Sequence, residues 1–352
     1  MKRNVCLLLT LMLMAGTTHA NWRIQSQMRF WLGLDDNVFE SLSEAEQDET
    51  GRLAGTVSLQ GHLSKKWILG LQYIGAIEGY SHYNAENRMI HAGSLVTEYV
   101  LFGSLIGGVS CNGRIKDFLK AERGYVSWEC TPYFKIPIAR TMIGHLGYIA
   151  RGFDFQQGTY FDSRFQGMQA EVKWDASSRI KCQVRGTWGQ YRYDRMTYRL
   201  SESGNPNVLG LIETGHLQKD TFREIDIGVE SYGWMLLQIS GGYRERQSNN
   251  YGYTSSCPFF EATVGKTLFE SWSLSCRTVL QWLQYVDDLA PLLLVNPDTE
   301  SEDCSVLVFD LSRQLSKSQT LGLRFGWYEN ESPIRNRFYR KTVFSIGYSY
   351  RF

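Results

Sequence analysis

Apolar and polar residues take turns along most of this chain. Trp22, Ile24, Met28, Phe30, Leu32 and Leu34 share one parity, and Arg23, Gln25, Gln27 and Arg29 share the other. Leu53, Val57, Leu59 and Leu63 alternate with Ala54, Thr56, Ser58, Gln60 and His62. Trp67, Leu69, Leu71, Tyr73 and Ile77 alternate with partners that include Gln72 and Glu78. Successive side chains of a strand point to opposite faces, so a period of two predicts half-buried strands. Sixteen such runs cover 22–34, 52–63, 67–80, 89–102, 105–117, 124–136, 140–152, 163–174, 179–193, 221–231, 234–246, 254–268, 272–286, 303–315, 319–328 and 339–352. The seventh and twelfth are the least regular.

The connections between these runs sort by length. After odd-numbered runs they are mostly long and polar: 35–51, 81–88, 118–123, 153–162, 194–220, 247–253, 287–302 and 329–338. After even-numbered runs they shrink to stretches such as Ser64 to Lys66, Gly103-Ser104, Pro137 to Ala139 and Tyr232-Gly233. A soluble sandwich has no reason to sort its loops this way, whereas an outer-membrane barrel has short periplasmic turns and longer extracellular loops. The pattern predicts an all-β fold: a transmembrane antiparallel up-and-down β-barrel of about sixteen strands, with fourteen or eighteen as alternatives. Trp22, Trp67, Trp174, Trp234 and Trp272 fall at strand ends on the short-turn side, where an indole ring suits the headgroup level. Generic packing at sheet ends is the plainer account of the same residues.

Composition agrees with many strands and tight turns. The 352 residues include 20 Tyr, 18 Phe and 33 Gly but only 7 Pro. The first twenty, MKRNVCLLLTLMLMAGTTHA, carry Lys2 and Arg3, then an apolar stretch from Val5 to Ala15, then small residues around His19. This is the pattern of a cleaved secretory leader, too short to span a bilayer as a helix. The expected domains are thus residues 1–20, removed on export, and 21–352, the barrel. Without the leader, 35 basic residues face 36 acidic ones, a balance with no pull toward nucleic acid. Cys111, Cys130, Cys182, Cys257, Cys276 and Cys304 remain, with no zinc spacing among them. If the hairpin 105–136 turns near residues 120–121, Cys111 and Cys130 lie opposite each other. Both then sit on the apolar parity, and either a cross-strand disulfide or two small buried thiols suits them.

The last residues are KTVFSIGYSYRF. Phe344, Ile346, Tyr348, Tyr350 and Phe352 resemble the terminal signature of bacterial outer-membrane β-barrel proteins, in which the final strand ends on Phe. The resemblance implies delivery to the barrel-assembly machinery, which reads that strand. An ordinary closing strand with a terminal Phe by chance is the bland account. A vaguer likeness attaches to GLDDNVFES, Gly33 to Ser41. It resembles the first-loop opening of barrels associated with polysaccharide export or with surface-lipoprotein display, over nine residues only.

The parity opposite the apolar one lines the interior. In the second half, bases fall on odd strands: Lys181 and Arg185, then Arg244, Arg277 and Arg324. Acids fall on even strands: Glu171, then Glu224, Asp226 and Glu230, then Glu261 and Asp310, with Lys173 as the exception. Two readings follow. One is a polarised pore wall that sets selectivity; the other is a lattice of ion pairs that stiffens the wall or holds a plug. The loop 194–220, with the turn formers Ser201 to Asn207, is expected to lie on the surface, inward folding being the alternative. For a hydrolase, His91-Ala92-Gly93-Ser94 places base and nucleophile on opposite faces of a strand. His82, His145 and His216 show no Ser or Asp arrangement nearby. Nothing in the spacing calls for a cofactor or a metal. The expected function is passage of small polar solutes through the outer membrane, with lipid around the barrel and a homo-oligomer compatible with it. A scaffold or export component of a polysaccharide or lipoprotein pathway comes second, and a rim-active hydrolase third.

Overall fold

The computed structural model describes the chain except residues 1–21, 40–44, 121–123, 157, 159–161, 201–210, 287–303 and 331–338. The expected leader and the Ser201 to Asn207 cluster therefore lie outside the described residues. The strands are β1 (Trp22–Asp35), β2 (Asp48–Ser64), β3 (Trp67–Tyr80), β4 (Arg88–Phe102), β5 (Leu105–Phe118), β6 (Tyr125–Ala139), β7 (Met142–Phe155) and β8 (Ser163–Asp175). They continue as β9 (Ile180–Leu200), β10 (Leu211–Tyr232), β11 (Leu236–Ser248), β12 (Ser255–Thr267), β13 (Trp272–Gln281, resumed at Gln284–Tyr285), β14 (Ser305–Gln314), β15 (Gln319–Asn330) and β16 (Tyr339–Arg351). Each pairs antiparallel with the next, and β16 pairs back onto β1 with Ile346 opposite Leu32. Sixteen strands close into a barrel, so no edge is left with unpaired backbone groups.

Register carries one parity unbroken around the wall. Phe30 lies opposite Leu53, Leu53 opposite Ile77, and Ile77 opposite Met89. On the other face Arg52 lies opposite Glu78, and Glu78 opposite Arg88. A slip of one residue would turn every apolar side chain inward, so the two-sided pattern specifies the pairing. The apolar row is exposed, as with Ile24, Ile225, Ile227, Phe325 and Phe344. Lipid is the solvent that such an outside requires. The buried hydrophobic cluster lies inside instead, where Ile149, Phe165, Tyr191 and Phe222 pack together.

The short turns stand at one end. They are Lys65-Lys66, Gly103-Ser104, Arg140-Thr141, 176–179, 233–235, 268–271 and 315–318. The β6–β7 turn falls three residues later than its proline suggests. Pro137 is still in the strand, at a register irregularity that ends at Ala139. A proline near a strand end or bulge removes little from the ladder. At this same end Trp67 Nε1 donates to Thr97 Oγ1 at 2.7 Å. The Lys266 ammonium lies 4.3 Å over the Trp234 ring and the Arg313 guanidinium 5.4 Å over Trp272. An indole flanked by a cation suits the headgroup level.

A further region differs from the sequence reading. The stretch 194–220 is not a surface loop in its described parts, because β9 runs on to Leu200 and β10 starts at Leu211. Its inner face is a buried polar network. Arg195 Nε donates to Gln218 Oε1 at 2.6 Å, and Gln218 Nε2 donates to the Asp220 carboxylate at 3.0 Å. Asn250 Nδ2 donates to the same Gln218 oxygen at 2.9 Å, and Arg195 sits between the rings of Tyr193 and Tyr253. Residues 249–254 therefore fold against the tall hairpin. Cys111 and Cys130 are directly opposed on the outer row and form a disulfide, with Cα atoms 4.2 Å apart.

Candidate functional site: the charged lumen

The inner parity gathers the charges that the sequence singles out. Arg185 lies opposite Asp226, and its Nε donates to Oδ2 at 2.7 Å. Arg244 lies opposite Glu224 and donates at 2.8 Å. Arg324 lies opposite Asp310 and holds it with two hydrogen bonds, at 2.7 and 3.1 Å. Arg277 reaches Glu261 diagonally at 3.9 Å, the longest of these pairs. Glu171 has Arg185 across the ladder, and the exceptional Lys173 approaches its carboxylate at 3.1 Å. Lys181 stands opposite Glu230 and over the Tyr232 ring at 5.4 Å. The bases and acids of neighbouring strands thus meet as cross-strand pairs.

The first half of the barrel carries charges that the sequence reading did not collect. The signal was there, since the same parity runs through it, but the signs do not alternate by strand. Glu78 and Arg88 face each other at 3.1 Å, and Glu129 and Arg151 at 2.6 Å. Glu98 is bound from two strands away: Tyr133 Oη donates to it at 2.7 Å and Lys135 Nζ at 2.5 Å. Glu98, Gly108 and Tyr133 stand in one row across β4, β5 and β6. Gly108 makes the reach feasible, because a Cβ there would lie 2.6 Å from the Tyr133 ring. Arg151 likewise lies over the Phe165 ring and donates to Tyr191 Oη at 3.1 Å.

Several cavities open on the interior, and two of them gather most of the charges. One, of about 660 Å3, is bounded by Arg185, Glu224, Arg244, Glu261, Arg277, Asp310 and Arg324, together with Glu129, Arg151 and Arg246. The other, of about 440 Å3, is bounded by Arg29, Trp31, Arg52, Arg88 and Lys341, with Asp35 and Glu78, over a floor that includes Ala54, Thr56 and Ser345. Arg324 and Tyr328 border both. Lys173, Glu171, Lys181, Asp226 and Glu230 stand on the same face without bounding either cavity. Exposure varies widely within the set. The Asp226 side chain is 3% exposed and the Arg277 side chain 63%.

Histidines fall into unlike settings. His91 is on the lipid-facing row, where its Nδ1 meets Tyr73 Oη at 2.7 Å. Ser94 is on the inner row, so the two do not converge. His145 is in the lumen, 4.0 Å from Glu171 and stacked on Tyr133. His82 does have an acidic neighbour, contrary to the sequence reading: its Nδ1 lies 2.9 Å from Asp48, 34 positions away. Asp48 also accepts the backbone N–H groups of His82 and Tyr83, each at 3.0 Å. Burial raises its pKa, but these hydrogen bonds together bring it down to about 2. This cluster fastens the 81–87 connection to the rim. Among the described residues no group of three or more metal-ligating side chains occurs.

No protein-family model and no curated protein sequence matches the chain. Solved structures do resemble it. OmpT, an outer membrane protein of Vibrio cholerae, in its trimer form has 12% identity and a TM-score of 0.49, over 95% of this chain and 100% of that one. OccAB1 of Acinetobacter baumannii has 9% identity and a TM-score of 0.46, over 94% and 96%. A bacterial polysaccharide outer membrane secretin has 8% identity and a TM-score of 0.44, over 93% and 98%. What these share with the chain is the fold alone. Its own apolar outside, charged inside and closure of sixteen strands make it a β-barrel of the bacterial outer membrane.

Proposed function

We propose that the chain is an outer-membrane channel for small polar solutes. The observation that carries this reading is the two-sided wall: an apolar exterior around an interior lined by Arg, Glu, Asp and small polar residues. An interior closed for stability alone would be filled by side chains, whereas this one keeps cavities bounded by groups that exchange hydrogen bonds with a hydrated solute. The paired charges Glu171, Lys181, Arg185, Glu224, Asp226, Arg244, Glu261, Arg277, Asp310 and Arg324 stiffen the wall and shape the field that a solute meets. Residues 1–20 act as the export leader and 21–352 as the barrel. The row Phe344, Ile346, Tyr348, Tyr350 and Phe352 serves as the recognition strand for the assembly machinery. The outward position of Phe344, Ile346 and Tyr348 on the closing strand supports that role.

Reconstitution of the mature chain into planar bilayers tests the reading. Stepwise conductance in KCl is expected. Properly folded barrels that insert but never conduct would overturn it, and would leave the polysaccharide-export or lipoprotein-pathway reading as the one to pursue.

A further inference from the structure

Resting on that channel reading, we infer that the lumen admits anions in preference to cations, and that the cavity at Arg29, Trp31 and Arg52 is where it holds them. The mature chain is close to neutral, yet its charge is not evenly spread. The two charged cavities described above are bounded by ten basic side chains and six acidic ones. The excess of cations is largest in the smaller cavity, where five bases stand against two acids.

The reason lies in pairing. In the larger cavity each carboxylate is within ion-pair distance of an arginine, as with Arg244 and Glu224 or Arg324 and Asp310. Such pairs present little net charge to a passing ion. In the smaller cavity Glu78 is taken by Arg88 at 3.1 Å and Asp35 by Lys341 at 2.9 Å. Arg29 and Arg52 are left over: both are exposed, and neither has a carboxylate within ion-pair distance among the described residues. Among the described residues Arg29 donates only to Gln27 Oε1, at 2.9 Å.

Register puts the two together. Arg29 lies opposite Ala54 and Trp31 opposite Arg52, so the arginines are diagonal neighbours across β1 and β2. Diagonal neighbours stand roughly 7–8 Å apart, near enough for two long side chains to close on one anion. The floor beneath them is small, with Ala54, Thr56 and Ser345. Trp31 seals one side. Its ring lies against Gly347, where a Cβ would come within 2.2 Å of it, and the Arg324 guanidinium sits 5.4 Å from its centroid. Forked guanidinium donors over an uncharged floor fit a carboxylate, phosphate or sulfate group carried by a small solute. That donor chemistry specifies an anionic group, and free chloride is its simplest probe.

The test is a reversal potential across a planar bilayer holding the mature chain, with a KCl gradient at low ionic strength where screening is weak. Two guanidinium charges about 8 Å from the ion path enrich chloride about sixfold over bulk water. A reversal potential displaced toward chloride by a comparable permeability ratio is expected. Arg29→Glu with Arg52→Glu is expected to move it toward potassium, while Arg223→Ala, on the lipid-facing row, leaves it in place. Channels that conduct with no chloride preference, or whose preference survives the double substitution, overturn this inference and leave the channel reading standing. Absence of any conductance from folded wild-type barrels overturns both. Circular dichroism and heat-modified gel mobility establish that each variant is a folded barrel before its potential is read.

Discussion

The lumen has two unlike walls. On β8 to β15 the inner row is a lattice of opposite charges, with Arg185–Asp226, Arg244–Glu224, Arg277–Glu261 and Arg324–Asp310 bound across neighbouring strands. On β2 to β4 the inner row between the ends is small or neutral: Ala54, Thr56 and Ser58, then Gly70, Ile74 and Ala76, then Ala92, Ser94 and Val96. Both walls face water, and both are backed by the same apolar exterior. The difference teaches what a charge does inside a barrel. Paired across a ladder it fixes neighbouring strands and cancels its own field. Left unpaired at the edge of a neutral wall, as Arg29 and Arg52 are, it keeps its field.

The comparison breaks most readily at the lattice. Asp226 is the most deeply covered carboxylate of these four pairs and depends on Arg185. Arg185→Ala leaves a hidden negative charge without its partner, which costs about 3 kcal/mol. Urea unfolding of the barrel in lipid reads this directly. A loss below about 0.5 kcal/mol, the range of ordinary surface changes, would show that the lattice does not hold the wall.

The junction between the walls is next. Gly347 takes no side chain because the Trp31 ring occupies the place of a Cβ. Gly347→Ala pushes the indole off the wall and costs about 2 kcal/mol by overpacking. Its tryptophan emission shifts with the new surroundings, and an unchanged spectrum with unchanged stability would refute the packing argument.

A smaller effect is expected where the neutral wall meets the extracellular rim. Asp48→Asn weakens hydrogen bonds from His82 and Tyr83 and costs about 1 kcal/mol. The same contact carries a pH dependence. The folded pKa of Asp48 lies near 2, below its ordinary 3.8. The stabilisation is therefore complete above the ordinary value and is lost as pH falls through the folded one. Protection of the His82 and Tyr83 amides, each rate taken relative to its intrinsic rate at the same pH, is expected to be high at neutral pH and to fall toward about pH 2. Protection that is equally low at both ends would remove this anchor.

The smallest change in stability is expected on the neutral wall itself. Ala92→Phe adds bulk toward open lumen rather than into a packed core, so stability moves by less than about 0.5 kcal/mol. Conductance falls, because the space is narrowed. A large loss of stability would mean that this wall is packed, and that the two walls differ less than their charges suggest.

Much of this was legible beforehand. The alternation from Trp22 to Leu34 and from Phe344 to Phe352 places the strands, and the sorted connections place their ends. That Arg244 and Arg324 face acids on neighbouring strands follows from strand parity once the order of strands is simple; which acid each one meets does not. Other features were not legible. Residues 194–220 read as a loop because their apolar positions thin out, yet Gln218, Asp220 and Thr197 are buried by a neighbouring connection rather than by lipid. Hydrogen bonding, which leaves no periodic trace in the sequence, holds that hairpin. The β6–β7 turn was misplaced because a proline marks a turn only when the strand cannot tolerate it.

The sequence by itself determined which side chains meet lipid and which meet the lumen, because a strand's two faces are decided residue by residue. It pointed to about sixteen strands, with fourteen or eighteen left open, and to the end that carries the short turns, because the connections sort by length. Only the tertiary structure decided which charges cancel. Glu98 finds Lys135 over the bare Gly108, Asp35 finds Lys341 where the last strand closes on the first, and Arg29 and Arg52 have no acid within ion-pair distance among the described residues. That outcome depends on register and on reach across two or three strands, and Coulomb attraction falls off over those same few ångströms.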